Sequence, residues 1–301
     1  MNRLLVALAV LLAVGAGCSS AASTGSGGGV SVVASTNVWG DVAKQVAGAL
    51  AGGKVDITSI ISDPSADPHS YEANTRNQLA IKRANLVIEN GGGYDDFVRS
   101  MRSASGTRAT VLDAVQIAGR PTVGGELNEH VWYDFPAVEK VAAQIADALV
   151  RADPADAATY RANARTFTAR VQQLVATEAS IKAAYAGAGA AITEPVPLYL
   201  LDACGLVNRT PAAFSQAIEA GDDVPARVLQ QTLDLFSHRD VSLLAYNSQT
   251  SGAQTDRVRA AAQAAHVPVV PVTETLPAGK DYVSWMAGNL SAVRSALASA
   301  G

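Results

Sequence analysis

The chain begins with an apolar run and a segment of small residues before any regular pattern starts. Met1–Gly17 has one early charge, Arg3, and then an apolar stretch that is too short to span a bilayer. Residues 1–17 are therefore predicted to be a cleaved secretory signal peptide. The following segment, residues 18–29, is almost entirely Ser, Ala, Thr and Gly. Because such a segment cannot bury apolar surface, it is predicted to be a flexible tether.

From Val30 onward, short β-rich runs alternate with helical segments. Strands are predicted over Val30–Ser35, Val55–Ile61, Leu86–Glu89, Thr110–Leu112, Ala190–Ile192, Val241–Tyr246 and Val267–Val272. Helices are predicted over Gly40–Leu50, Pro136–Arg151, Val228–Phe236, Thr255–Ala265 and Tyr282–Leu297, with shorter helices ending at Arg83 and Gly205. This order of elements is typical of parallel sheets covered by helices.

One predicted helix is much longer than the others. About thirty residues after Asp153-Pro154 contain neither Gly nor Pro, and apolar side chains recur at helical spacing. These side chains are Tyr160, Ala164, Phe167, Val171, Leu174 and Ile181. At about 1.5 Å per residue the helix would be about 45–50 Å long, long enough to join two lobes; a helical hairpin within one domain is the alternative.

The predicted fold class is therefore α/β, with two doubly wound βα lobes joined by one long spanning helix. The N-terminal lobe is predicted over residues 30–152, the connecting helix over 153–187 and the C-terminal lobe over 188–301. Ligands of open α/β sheets bind at the carboxyl ends of the strands. We therefore expect the ligand cleft between the two lobes.

Composition narrows the possible functions. Of 301 residues, 49 % are apolar and 17 % charged, which excludes a disordered chain. The formal net charge of −4 argues against a nucleic-acid partner. Two cysteines are too few for a disulfide-rich scaffold.

The chain has four histidines, and two of them lie where ligand-binding residues are common. His69 and His130 fall in loops that follow predicted strands. His238 lies in a polar turn, where we expect it to be exposed, and His266 ends a helix, where a cation suits the helix dipole.

Two carboxylates occupy comparable places in the second half of the chain. Glu194 follows the strand that ends at Ile192, and Glu274 follows the strand that ends at Val272. Together with His69 and His130, they form a predicted four-ligand metal site closed by the two lobes. The alternative is that each is an ordinary polar loop residue or a favourable partner of a helix N-terminus.

The end of the signal peptide resembles a lipobox, the cleavage motif of bacterial lipoproteins. It reads Val14-Gly15-Ala16-Gly17-Cys18, with Gly15 where Leu is commonest. Cys18 is therefore predicted to carry a lipid, and an ordinary cleaved signal is the alternative. With Cys18 lipidated, Cys204 has no partner and is expected to be a small buried apolar side chain.

Over essentially the whole mature chain, the sequence resembles the solute-binding lipoproteins of bacterial ABC importers for zinc and manganese. The resemblance rests on Ala34–Asp41, Asp67–Glu72, Leu86–Gly91, His130–Asp134 and Val269–Pro277. In that family the Asp-Pro-His and His-Val-Trp elements each supply one imidazole ligand, which carries over to His69 and His130.

The resemblance also implies the two carboxylate ligands. The third family ligand is His or Glu five residues before an aromatic residue, and Glu194 stands five residues before Tyr199. The fourth is an acid just after a late strand, usually Asp, and Glu274 takes that place here. Metal-bound imidazoles need partners that orient their rings, and Glu72, Asn128, Glu129 and Asn247 are the candidates; a solvated loop charge is the alternative for Glu72.

The function implied is capture of a divalent transition metal, Zn²⁺ or Mn²⁺, and its delivery to an ABC permease. Two neutral imidazoles and two carboxylates would balance the charge of a divalent ion. The protein is expected to be a monomer, held at the outer face of the cell membrane by its lipid, and not an enzyme. In the family that the sequence resembles, many zinc-specific members carry a loop rich in His and acids before the second histidine. Here Val115–Leu127 contains no His and one acid, Glu126, which favours manganese slightly over zinc.

The sequence leaves other functions open as alternatives. A receptor for a metal complex or a small anionic ligand is the alternative within the binding class. A metal-dependent hydrolase is less consistent, because no His-Glu-x-x-His motif or nucleophile elbow is present. Nothing in the sequence specifically supports an adhesin.

Overall fold

The computed structural model describes residues 29–63, 71–72, 74–122 and 127–300. The predicted signal peptide, Cys18, nearly all of the tether and His69 lie outside the described residues. Within the described part of the chain, no helix is both long enough and apolar enough to cross a membrane.

The first half of the chain forms a four-stranded parallel sheet. Its strands are β1 (Val30–Thr36), β2 (Val55–Ile61), β3 (Leu86–Glu89) and β4 (Thr110–Asp113), in the order β2-β1-β3-β4. Helices of this lobe are α1 (Asn37–Ala47), α2 (Thr75–Arg83), α3 (Asp96–Ser105), α4 (Ala114–Ala118) and α5 (Phe135–Ala152). Every residue of β3 is buried, as expected for a central strand with helices on both faces.

The second half repeats this topology. Its strands are β5 (Gly189–Ile192), β6 (Val207–Asn208), β7 (Leu243–Asn247) and β8 (Val269–Val272), all parallel, in the order β6-β5-β7-β8. Helices of this lobe are α7 (Leu198–Ala203), α8 (Ala212–Glu219), α9 (Ala226–Ser237), α10 (Ala253–Ala264) and α11 (Tyr282–Ala300). In both sheets the strand order reverses between the first and third strands, the topological switch point at which α/β proteins bind ligands.

The predicted connecting helix is one uninterrupted helix, α6 (Ala157–Tyr185), of 29 residues. At 1.5 Å per residue it is about 43 Å long. The six apolar residues predicted to share one face are all buried, and Glu178 lies buried on the same face. Helix α6 packs against α1 and α5 of the first lobe and α7 and α11 of the second. The prediction of two α/β lobes joined by a single long helix is confirmed.

One apolar core runs through both lobes. It contains Trp39 and Trp132 from the first lobe, Phe167 from α6, and Tyr282 and Trp285 from α11. Cys204 also lies in this core, where burial raises the pKa of its thiol to about 12. Two smaller apolar clusters cover the outer faces of the sheets. Because the shared core is continuous across α6, large separations of the lobes would expose apolar surface.

Several short elements differ from the predicted ones. The sequence pattern missed α3, α4, α8 and β6. Helix α4 and strand β6, of five and two residues, are too short to establish a period, and α3 and α8 each have only two buried residues. In α3 these are Val98 and Met101. Helix α1 begins at Asn37 rather than Gly40, since Thr36 already has the extended backbone of an N-cap.

Candidate metal centre

Three of the four predicted ligands lie within the described residues, and all three are buried. His130 is fully buried in the turn before a short 3₁₀ helix, Val131–Tyr133. Glu194 and Glu274 are 3 % and 1 % exposed, and each lies two residues beyond its strand. Strands β5 and β8 flank β7, so both carboxylates leave the sheet at the same edge.

The ring of His130 is oriented by Asn128. His130 Nδ1 lies 2.7 Å from Asn128 Oδ1, which also accepts from the His130 backbone N–H at 3.1 Å. The amide orientation follows from Asn128 Nδ2, which donates to Pro195 O at 3.1 Å. Because Oδ1 only accepts, Nδ1 must carry the proton. In the neutral ring the lone pair is then on Nε2, the atom available to a metal.

Asn128 also connects His130 to the second lobe. Its side chain donates to the carbonyl of Pro195, the residue after Glu194, and its own carbonyl accepts from Tyr199 Oη at 2.8 Å. The segment that carries His130 is therefore held against the segment that carries Glu194.

A single loop contacts both carboxylates. This β7 loop, residues 247–252, runs from the last residue of β7 to the residue before α10. Asn247 Nδ2 donates to Glu274 Oε1 at 2.8 Å, and Thr250 Oγ1 donates to Glu194 Oε2. Gln249 Oε1 accepts from the backbone N–H of Glu274. The hydrogen bonds thus hold two buried acids next to the switch point of the C-terminal sheet.

The loop that carries Glu274 is also held from the first lobe. Asn37 and Leu276 exchange two hydrogen bonds, each of 2.9 Å. Tyr133 Oη donates to Thr273 O at 2.8 Å. Burial raises the pKa of Tyr133, and the nearby Glu274 carboxylate raises it further, so the phenol remains a donor.

Two acids, Glu129 and Glu219, lie beside His130, although no local sequence pattern places the three residues together. Ligand atoms of Glu129, His130 and Glu219 are all within 4.8 Å of one another. Glu219 Oε1 is 3.7 Å from His130 Nε2. Glu129 was predicted only as an orienting residue, and Glu219 was missed because it ends a short helix with no local motif.

A groove of about 870 Å³ opens beside this cluster. Residues of segments 120–121 and 127–136, of α6, and of α7 and α8 line this interlobe groove. Glu129 and Glu219 are among them, and so is Glu178, which is 4 % exposed.

The remaining candidates lie apart from these carboxylates or outside the described residues. His238 is exposed, as predicted, and His266, which follows the end of α10, is exposed as well. Glu72 is also exposed. His69 belongs to the undescribed segment, so its place as a ligand stays a prediction.

Two parallel sheets of the same strand order, joined by one long helix, place this chain among two-lobed α/β proteins with a spanning helix. It matches the model of the family described as "Zinc-uptake complex component A periplasmic" over residues 32–296. The chain therefore belongs to this family, and the resemblance seen in its motifs is confirmed.

Relatives and solved structures extend this finding. The chain is 28 % identical over 171 residues to the manganese-binding lipoprotein MntA of Halalkalibacterium halodurans. This aligned segment covers 54 % of this chain and 53 % of MntA. It is 26 % identical over 170 residues to the iron ABC transporter substrate-binding lipoprotein MtsA of Streptococcus pyogenes serotype M1, 52 % of this chain and 53 % of MtsA. The chain thus spans about half the length of the curated relatives it matches. Its fold is that of the periplasmic zinc-binding protein TroA from Treponema pallidum, with a TM-score of 0.75 and 18 % identity over 90 % of this chain and 99 % of TroA.

Proposed function

We propose that this protein is an extracytoplasmic solute-binding protein that captures a divalent transition-metal ion between its lobes. It delivers the ion to the permease of an ABC importer and is held at the outer face of the cell membrane by a lipid on Cys18. It binds and releases its cargo without chemical change, so it is not an enzyme. The proposed ligands are His69, His130, Glu194 and Glu274.

The observation that carries this proposal is the pair of buried acids, Glu194 and Glu274, that accept hydrogen bonds from the β7 loop. Burying two carboxylates is unfavourable unless hydrogen bonds and a positive charge compensate them. Asn247 and Thr250 supply hydrogen bonds to Glu274 and Glu194. A divalent cation would supply the charge, and the His130 lone pair on Nε2 suits a transition metal.

The nature of the cargo follows from the donor types. Imidazole suits zinc and iron, whereas carboxylates shift the preference toward manganese. Two carboxylates with two imidazoles therefore favour Mn²⁺ or Zn²⁺ as cargo. The names of the relatives, manganese-binding MntA and the iron transporter lipoprotein MtsA, agree with a divalent transition metal as the class.

Titration of the metal-free chain with Zn²⁺ and with Mn²⁺ tests the proposal directly. Calorimetry is expected to give one tightly bound ion per chain. In His130→Gln the affinity should fall by about 100-fold or more, since even residues that only orient a ligand are worth 10–100-fold. The exposed His238→Gln is the matched control and should leave the affinity unchanged.

Two results would contradict the proposal. Unchanged affinity in His130→Gln would remove this histidine from the ligand set. Binding of a preformed metal complex or a small anion, with no response to bare Zn²⁺ or Mn²⁺, would favour the other kind of receptor.

A further inference from the structure

Two carboxylates and an imidazole nitrogen converge on the groove side of His130. The ligand atoms of Glu129, His130 and Glu219 lie within 4.8 Å of one another, and Glu219 Oε1 is 3.7 Å from His130 Nε2. Two ligands of one metal ion are separated by at most about 4.4 Å, twice a metal–ligand distance of about 2.2 Å. Side-chain shifts of a few tenths of an ångström would therefore let all three contact one ion.

Side-chain exposure within the cluster decreases from the groove toward the core. Glu129 and Glu219 line the interlobe groove. The Glu219 side chain is 21 % exposed, whereas that of His130 is 1 % exposed. An ion that enters from the groove would meet the two carboxylates before the imidazole.

The position of Glu219 on its helix favours a cation beside it. Glu219 is the last residue of α8, where the helix dipole is negative and a carboxylate is unfavourable. His130 Nε2 faces the same carboxylate with the lone pair of the neutral ring. A positive ion between them would be attracted by the carboxylate, the helix terminus and the nitrogen together.

The charged side chains along the groove leave a negative balance. Asp134 is paired with Arg120, and burial raises the pKa of Glu178 to about 8, so that this acid is mostly protonated at neutral pH. The remaining charged side chains that line the groove are Glu129, Asp202 and Glu219 against Lys182. Acidic clefts of this kind raise the local concentration of cations.

We propose that Glu129 and Glu219, together with His130 Nε2, form an outer divalent-cation position through which cargo enters and leaves. The inference rests on the proposed function and adds a step to it. The ion first binds the two groove carboxylates and His130. It then exchanges Glu129 and Glu219 for Glu194 and Glu274 while His130 stays bound. Only ligands are exchanged in this step, and the charge of the ion does not change.

Rates of metal binding test this step. The Trp132 ring lies 5.1 Å from the His130 ring, so its fluorescence can report Zn²⁺ or Mn²⁺ binding in stopped-flow mixing. In Glu219→Gln, association and dissociation should both slow by about tenfold, the low end of electrostatic effects on association rates. The dissociation constant should change by less than about threefold, because the outer position is vacated in the final complex. The double variant Glu129→Gln/Glu219→Gln should slow both rates further.

Asp222→Asn is the matched control, since it removes an exposed acid three residues from Glu219. Rates in Glu219→Gln equal to those in Asp222→Asn would overturn the inference. A loss of affinity as large as that in Glu194→Gln would also overturn it, because Glu219 would then belong to the final ligand set. If wild type fails to bind either ion, the proposed function itself fails; normal equilibrium behaviour with unchanged rates removes only the outer position.

Discussion

The two lobes share one strand order but use their carboxyl edges differently. At the switch point of the N-terminal sheet, Asp95 accepts the backbone N–H groups of Asn90 and Gly91 at 2.6 and 2.8 Å. Asn90 in turn accepts from Trp39 Nε1 at 3.1 Å and donates to Glu129 O at 2.9 Å. This edge is filled by side chains that bond to one another and to the chain beside His130.

The corresponding edge of the C-terminal sheet instead presents acids. Glu194 and Glu274 follow β5 and β8, the strands on either side of β7, and both accept hydrogen bonds from the β7 loop. The same topology therefore has two roles. The edge of the N-terminal sheet supports the segment that carries His130, and the edge of the C-terminal sheet presents two carboxylates. A switch point can therefore bind a ligand, and the side chains that follow its strands determine whether it does.

The largest expected effect comes from removing the charge of the C-terminal edge. The double variant Glu194→Gln/Glu274→Gln keeps the shape of both side chains but should lower the affinity for Zn²⁺ or Mn²⁺ by about 1,000-fold, as metal ligands outweigh residues worth 10–100-fold. The N-terminal counterpart, Asp95→Asn, should lower stability and leave affinity nearly unchanged. Calorimetry and urea unfolding of each variant measure both quantities.

Glu139→Gln on α5 controls for loss of an acid outside the proposed ligand set. Affinity within threefold of wild type in the double variant would show that the C-terminal edge is not the metal site. Neither sheet edge would then supply the carboxylates that bind the metal ion.

A second effect concerns α6, which joins the two sheets. Burial raises the pKa of Glu178 to about 8 from its ordinary value of 4.5. The folded state therefore keeps a proton that the unfolded state releases between these values, and stability should fall as pH rises from 4.5 to 8. Because water in the groove screens part of the effect, we expect a loss of about 2 kcal/mol.

Glu178→Gln should remove this contribution, so that the metal-free variant loses less stability than wild type between pH 5 and pH 8; the contribution of Asp95, whose pKa burial raises to about 6, is the same in both proteins. Urea unfolding at both pH values measures it, with the exposed Asp147→Asn on α5 as control. A variant that loses as much stability as wild type over this range would show that another group is responsible.

A smaller effect should follow from the residue that orients His130. Asn128→Ala removes the acceptor that fixes the Nδ1 proton and should lower metal affinity by about tenfold. Asn128→Asp still accepts from Nδ1 but no longer donates to Pro195 O, so it should recover much of the affinity. If both substitutions have equal effects in calorimetry, the contact with Pro195 rather than the ring orientation is what matters.

Sequence patterns predicted those features that are encoded locally. Strand β2 and strand β3 have the predicted bounds, and the buried face of α6 contains the predicted residues, because apolar periodicity reflects burial directly. The positions of Glu194 and Glu274 just after strands also follow from local order. The bond from Asn128 to Pro195 and the approach of Glu219 to His130 join residues 67 and 89 positions apart. No spacing rule encodes such pairs. Glu178 falls on the predicted apolar face of α6, between Leu174 and Ile181, but spacing alone does not show that it lines a groove.

The smallest predicted effect tests how the N-terminal lobe braces the C-terminal edge. Tyr133→Phe removes the hydrogen bond to Thr273 O, next to Glu274, and should lower the free energy of unfolding by about 1 kcal/mol. Affinity should also fall a few-fold, because the loop that carries Glu274 loses a support.

Tyr282→Phe is the matched control: it removes the 2.6 Å bond from Tyr282 Oη to Trp132 O, a second hydrogen bond between the lobes that does not involve the Glu274 loop. It should cost similar stability without weakening metal binding, as measured by urea unfolding and calorimetry. Equal losses of affinity in the two variants would mean that lobe packing in general, and not the support of Glu274 by Tyr133, controls the site.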